Sequence, residues 1–242
     1  TYTGPTTVGV NGVSNTLLYV GHPLALGSTV SGTTVNGGAA LTLNRVMLNS
    51  GIAVTNETLT LDSGPVGYRA GLGYSPGSGS ATWAGNVVIA GTAGAYLACD
   101  TVGGSLVVGN SSDDTITGAA GHLSLRGNGT VIVNSRVNIG ATPINRDDAG
   151  TFLVNSTNNL WGASNINQGT LKLGVSDAVP TNTTLSIGKG GGVAAAALDL
   201  NGNSQKIAAL AEQHNTTGTQ KILSVAPATL IVNNTNVSTF GT

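Results

Sequence analysis

A short alternating segment introduced by glycine recurs along the chain and constrains its fold more than any other feature. Each copy reads glycine, a small polar residue, an apolar residue, any residue and a second apolar residue. Alternate side chains of an extended segment point to opposite faces, so this pattern predicts strands that bury one aliphatic row. The copies occupy residues 104–108, 121–125, 129–133, 150–154 and 169–173.

The copies follow one another at a nearly regular distance. Several are separated by about 17 to 21 residues, and self-similarity of this length is typical of a solenoid whose turns stack. Helical periodicity is weak: the best candidate, residues 193–197, is short and follows three glycines. We therefore predict an all-β, right-handed parallel β-helix (β-solenoid) of roughly ten to twelve short turns, at about 20–24 residues each.

The composition supports this fold and leaves one alternative open. Only 8% of the residues are charged and 4% are aromatic, whereas 40% are hydrophobic, too many for a disordered chain. A narrow coil is filled by Val, Leu, Ile and Ala without large rings, and stacked Asn and Thr at corners can satisfy one another's hydrogen bonds. Four Asn-Gly pairs would also suit an antiparallel sandwich or barrel, which usually carries more aromatic and charged residues.

Several segments resemble a known repeat. Residues 1–8 (TYTGPTTV), 83–89 (WAGNVVI) and 198–207 (LDLNGNSQKI) are similar to successive parts of the autotransporter-associated β-strand repeat. Residues 25–28, 32–41, 57–61 and 167–174 resemble it as well, whereas 160–164 depart from the "TYTG" expected there. The family forms passenger-type β-helices of large bacterial surface proteins. The resemblance implies a secreted, extracellular or cell-surface structural protein.

The resemblance also bears on domain organisation. We expect residues 1–242 to form a single solenoid segment, an excerpt or repeating unit of a longer protein, because flanking strands of the repeat are absent. An uncapped solenoid end exposes unpaired backbone groups, so we expect head-to-tail association with identical or similar units, giving a rod or filament. Residues 64–79, rich in Gly and Pro, are predicted to be a protruding loop.

Two other functional hypotheses belong to different classes. An adhesin would bind glycans or partner cells through surface loops such as 64–79. A carbohydrate-active enzyme on a β-helix would need clustered acids, and the chain has only 10 Asp and Glu residues. The scarcity of acids and of convergent motifs favours the structural role, so we expect no enzyme activity.

The motifs of catalysis and cofactor binding are missing. The sequence has no H-E-x-x-H, C-x-x-C or G-x-S-x-G, and Lys189 is followed by Gly190 where a phosphate-binding loop needs Ser or Thr. His22, His122 and His214 have no local partners. Cys99, the single cysteine, excludes a disulfide within the chain and is expected to be buried. We therefore assign no catalytic, cofactor-binding or metal residues.

Two adjacent acid pairs are the remaining candidates for chemistry. Asp113-Asp114 precedes a strand and Asp147-Asp148 follows Arg146, which could balance their charge. Neighbouring residues of a strand face opposite ways, so neither pair can act as a dyad unless the backbone turns. Turn formation is the favoured interpretation, and calcium binding is the alternative.

Charge and sequence motifs also bear on partners. The net charge is −1 and the five arginines are scattered along the chain, so we expect no nucleic-acid partner. No apolar stretch is long enough to span a membrane. Asn-x-Ser/Thr sequons predict either corner asparagine ladders or glycosylation. The candidate glycosylation sites are Asn56, Asn110, Asn128, Asn155, Asn182, Asn215, Asn233 and Asn236.

Overall fold

The computed structural model describes residues 2–13, 15–39, 43–65, 67–74, 77–188, 194–212 and 218–233. In these ranges the protein consists of strands and turns without a helix. Each strand pairs in parallel with a strand from a neighbouring turn, and the strands stack as a β-solenoid. The predicted fold class is confirmed, and the antiparallel alternative is wrong. Among the described residues only the isolated bridge between Gly38 and Arg69 is antiparallel.

Three sheets form the walls of the solenoid. The first wall contains β1 (Thr6–Val8), β3 (Thr33–Asn36), β6 (Leu59–Asp62), β9 (Val87–Ala90), β12 (Thr115–Gly118) and β15 (Arg136–Asn138). The second wall contains β2 (Leu17–Val20), β4 (Asn44–Leu48), β7 (Arg69–Tyr74), β10 (Gly94–Cys99), β13 (His122–Arg126), β16 (Ile144–Arg146), β18 (Ser164–Ile166), β20 (Thr184–Ile187) and β23 (Ala209–Glu212). The third wall contains β5 (Ala53–Thr55), β8 (Gly79–Ala84), β11 (Gly104–Val108), β14 (Thr130–Val133), β17 (Thr151–Val154), β19 (Gly169–Leu173), β21 (Ala196–Asp199) and β24 (Gln220–Leu223). A two-stranded sheet of β22 (Gln205–Ile207) and β25 (Leu230–Val232) completes the fold.

The core consists of apolar side chains stacked in register from turn to turn. In the third wall one inward row runs through Trp83, Val108, Val133, Val154 and Leu173. All five are at most 1% exposed, and each buried side chain of this kind contributes about 1.5–3 kcal/mol to folding. The alternation of apolar and other residues in the sequence therefore corresponds to the alternation of buried and outward-facing side chains in the solenoid.

The number of turns differs from the prediction. The nine strands of the second wall, from β2 to β23, enclose eight turns rather than ten to twelve. Thr151 pairs with Thr170, only 19 residues later, but Thr6 pairs with Thr33, 27 residues later. The middle turns, at 19 to 21 residues, lie at or just below the short end of the predicted length. Other turns are longer, which lowers the number of turns.

The prediction of a protruding loop at 64–79 is wrong over its central part. Arg69–Tyr74 is strand β7, paired with β4 on one side and β10 on the other. Its glycines serve packing on the outer face: a Cβ on Gly71 would lie 3.2 Å from that of Tyr96, and one on Gly73 would lie 2.6 Å from Met47 Sδ. Glycine here makes room for neighbouring side chains instead of marking a loop.

Beyond β15 the described residues add no further strand to the first wall, and amide side chains bridge the gap to β22. Asn159 accepts a hydrogen bond from the N–H of Val137 (2.7 Å) and donates one to the carbonyl of Ala178 (2.8 Å). Gln205 accepts from the N–H of Val179 (3.0 Å) and donates to its carbonyl (2.9 Å). These amides replace the missing strand pairing and satisfy buried backbone groups that would otherwise lack partners.

Candidate functional site at the ends of the solenoid

The two acid pairs hold turns together. Asp114 Oδ2 accepts the N–H of Asn110 at 2.8 Å, which is ordinary turn chemistry. Asp148 Oδ2 accepts the N–H of Gly127 at 2.8 Å and lies 3.3 Å from Arg126 Nε. Within the described ranges no three His, Cys, Asp or Glu side chains are grouped so that they could hold a metal ion. Turn formation accounts for both pairs.

The other candidates for chemistry lie apart from one another. The imidazole Nδ1 of His22 accepts the N–H of Leu24 at 3.1 Å, and His122 Nε2 lies 3.2 Å from the Tyr96 hydroxyl. Cys99 is buried as predicted, and its burial raises the pKa of the thiol, which keeps it protonated and unreactive. His214 and the glycine-rich segment 189–192 lie outside the described residues.

Six of the eight sequon asparagines lie within the described residues. Asn155 Nδ2 donates to Asn134 Oδ1 at 2.9 Å, which is the corner asparagine ladder predicted from sequence. Asn215 and Asn236 lie outside the described residues. The six described sequon asparagines are all exposed: Asn56, Asn110, Asn128, Asn155, Asn182 and Asn233. Because these side chains are exposed, a glycan could be attached to them, and glycosylation stays a prediction at these sites.

The solenoid also assembles a cluster that sequence reasoning missed. The guanidinium carbons of Arg69 and Arg126 lie 5.6 and 5.7 Å from the ring centre of Tyr96, on the outer face of the second wall. Arg45, on the same face, pairs with Asp100 at 2.9 Å. These arginines are far apart in sequence and meet only because the turns place them on adjacent strands. Since Tyr96 is 3% exposed, the cluster covers the wall and presents no open site.

Both ends of the rod expose large apolar side chains. Val30 and Val225 are 91% and 81% exposed. Between residues 31 and 222, only Val102 and Leu160 of the described large hydrophobic residues are exposed. The exposed residues near the two ends are Tyr2, Val10, Val13, Leu17, Tyr19, Leu24 and Val30 at one, and Leu223, Val225, Ile231 and Val232 at the other. The exposed apolar side chains therefore gather in the first and last parts of the described chain.

The two terminal segments of the chain lack charged residues. All 19 Asp, Glu, Lys and Arg residues lie between 45 and 221, so residues 1–44 and 222–242 contain none. Among the described strands, the edge strands β1, β2 and β5 at one end contain no charged residue. At the other end β25 contains none, whereas β23 and β24 contain Glu212 and Lys221. Soluble proteins usually protect exposed strand edges with charged residues, especially Lys. The edge strands β1, β2, β5 and β25 lack this protection.

Comparisons with known proteins do not assign the chain to a family. No family model, no curated protein and no solved structure matches it. Across the described part of the chain, no helix has the length and apolar character needed to cross a membrane. The fold therefore defines the class, a parallel β-solenoid, and the function must be inferred from the molecule itself.

Proposed function

We propose that the protein is a non-enzymatic structural unit of an extracellular rod that is extended end to end by identical or similar units. The observation that carries this proposal is the exposure of apolar side chains on both end turns, together with the uncharged edge strands β1, β2 and β25. The resemblance to the autotransporter-associated repeat supports the cell-surface location. Glycosylation of the exposed sequons is compatible with such a location and forms part of the proposal.

Strand pairing provides the mechanism of extension. All walls are parallel, so the last strands of one unit and the first strands of the next run in the same direction when units stack head to tail. Each new pairing satisfies backbone N–H and C=O groups, and the apolar side chains contribute about 25 cal/mol per Å² of surface buried. Such a contact joins two different surfaces and does not close on itself, so it produces filaments instead of closed rings.

Sedimentation velocity on the purified chain tests the proposal. We expect the mean mass to rise with concentration and electron micrographs to show unbranched rods of constant width. Val102→Lys, on the side of the rod, should assemble like the wild type. Chains that stay monomeric at the highest soluble concentration, without rods, would show that the ends do not pair.

A further inference from the structure

The gap in the first wall forms a groove on the side of the rod, separate from the ends. Between β15 and β22, Leu160 is the only described residue that bridges to the wall, through Asn138. Two depressions of about 430 and 450 Å³ lie here. Their linings are consecutive in sequence: residues 159 and 181 line the first depression, and residues 160 and 182 line the second. Each volume is in the range of small-molecule sites, about 300–1,000 Å³.

The lining of the groove is polar and nearly uncharged. Thr157, Asn158, Thr181 and Asn182 present hydroxyl and amide groups to solvent, and Asp177 is the single charged residue of the lining. The second depression has a wall of small residues, including Gly140, Ala141 and Gly162. This combination offers hydrogen-bond donors and acceptors above a backbone that a ligand can approach closely.

One apolar side chain stands at the edge of the groove. Leu160 is 42% exposed, and Val102 is the other exposed large hydrophobic residue described on the side of the rod. Trp161, the next residue, is buried, so Leu160 is the exposed apolar side chain that a ligand in the groove would contact.

Two residues of the groove hold a backbone conformation that is unusual outside glycine. Asn158 and Asp177 have φ angles of 56° and 51°, a region that costs non-glycine residues conformational energy. Asp177 Oδ1 accepts the N–H of Lys206 at 3.0 Å. Among the described residues no donor reaches its other oxygen, which is free to accept a ligand hydroxyl.

We propose that this groove binds a neutral oligosaccharide. A sugar offers hydroxyls to the amides and to Asp177 and an apolar C–H face to Leu160. An acidic polysaccharide would be repelled by Asp177, and nucleic acid would find no cation in the lining. The site lies on the side of the rod and does not depend on end-to-end assembly.

Saturation-transfer NMR followed by calorimetry tests the proposal with cellohexaose, maltohexaose, chitohexaose and a hexamer of galacturonate as probes. We expect at least one neutral hexasaccharide to bind and the uronate not to bind. Leu160→Ser should weaken binding about tenfold, the size of effect expected from losing an apolar contact, whereas the matched variant Val102→Ser should bind like the wild type. Asp177→Asn keeps the oxygen that accepts from Lys206, and it should weaken the neutral ligand while raising the affinity for uronate.

Three results would overturn the proposal: no neutral probe binds, the uronate binds best, or Leu160→Ser and Val102→Ser behave alike. Binding is measured per chain, so the experiment is informative whether or not the protein forms rods. A folded state of each variant is verified by its circular dichroism spectrum.

Discussion

Arg146 shows how a single residue can be misjudged from its neighbours in sequence. Its position next to two aspartates suggested a loop cation that balances charge, but it is 2% exposed. It stands in an inward row of the second wall between Leu125 and Ile166. Its guanidinium donates hydrogen bonds to the carbonyls of Leu125 (2.5 Å), Gly127 (2.6 Å) and Gly150 (3.1 Å). Burial lowers its pKa to about 10.

Replacing Arg146 should therefore be costly. Arg146→Met preserves much of the apolar stem but removes three buried hydrogen bonds to carbonyls, each of which keeps one backbone N–H donor. At about 0.5–1.5 kcal/mol for each lost bond, we expect a loss of about 2–4 kcal/mol in the free energy of unfolding. Arg136→Met changes an exposed arginine and is the control, with an expected effect within about 0.5 kcal/mol. Equilibrium denaturation measures both. Equal effects of the two substitutions would mean that the hydrogen bonds of Arg146 do not stabilise the fold.

Glu57 provides a prediction about pH. It is 2% exposed and accepts a hydrogen bond from the Thr33 hydroxyl at 2.8 Å. Burial raises the pKa of its carboxyl above the ordinary 4.5, and the bond from Thr33 opposes this only in part. The folded protein therefore holds a proton that the unfolded chain releases near pH 4.5. Stability contributed by the protonated form is complete below that pH and is lost as pH rises through the folded-state pKa.

Glu57→Gln isolates this effect because glutamine stays neutral and can still accept from Thr33. The variant should match the wild type below the ordinary carboxyl pKa and become more stable than it as the pH rises. Melting temperatures of the two proteins measured across the acidic and neutral range test this. Curves that remain parallel would contradict a raised pKa for Glu57.

At the scale of the element, the corners matter as much as the strands. Gly127 has a φ of 90°, and a Cβ there would lie 2.0 Å from the carbonyl oxygen of Cys99. That oxygen accepts the N–H of Gly129 at 2.9 Å, so it cannot move without breaking a bond between turns. Gly103 has a similar φ of 79° but no atom within 4 Å of its ideal Cβ.

The two glycines therefore form a matched pair. Gly103→Ala should cost about 1–2 kcal/mol, the penalty for a left-handed residue. Gly127→Ala adds a backbone clash, and we expect a loss of about 3 kcal/mol or more. Urea denaturation of both variants gives the comparison, and similar losses would show that the corner at Gly127 adapts to a side chain.

Strands were easier to predict than turns. The five glycine-led copies correspond, within one residue, to β11, β13, β14, β17 and β19, because alternation reports burial directly. The turn length was underestimated because copies from two walls were compared: residues 104–108 lie in the third wall and 121–125 in the second. The true successor of β11 in its wall is β14, and Ser105 pairs with Thr130.

The sites were only partly visible in the sequence. The absence of charge before Arg45 and after Lys221 can be read directly, but the exposure of the apolar residues there requires the fold. The groove could not be anticipated, since it arises where Asn159 and Gln205 replace strands, and neither residue belongs to a recognisable motif. Where amide side chains take the place of strand pairing, the sequence has no alternating pattern that would reveal it.

At the scale of the whole molecule, the charged residues lie between Arg45 and Lys221, whereas eleven of the thirteen exposed large apolar residues described lie before residue 31 or after residue 222. The proposed end-to-end extension would use the apolar residues of the first and last turns. Tyr19 lies on edge strand β2 at one end and is 54% exposed, and Ile231 lies on β25 at the other and is 51% exposed. A lysine at either position protects that edge and blocks that end alone.

Mixing the two variants tests end-to-end pairing most directly. Tyr19→Lys and Ile231→Lys should each prevent filaments, because each chain keeps only one competent end. Mixed together, their remaining ends are complementary, so sedimentation velocity should show a one-to-one heterodimer that does not grow further. Dimers of either variant alone, filaments in the mixture, or no association at all would contradict head-to-tail extension.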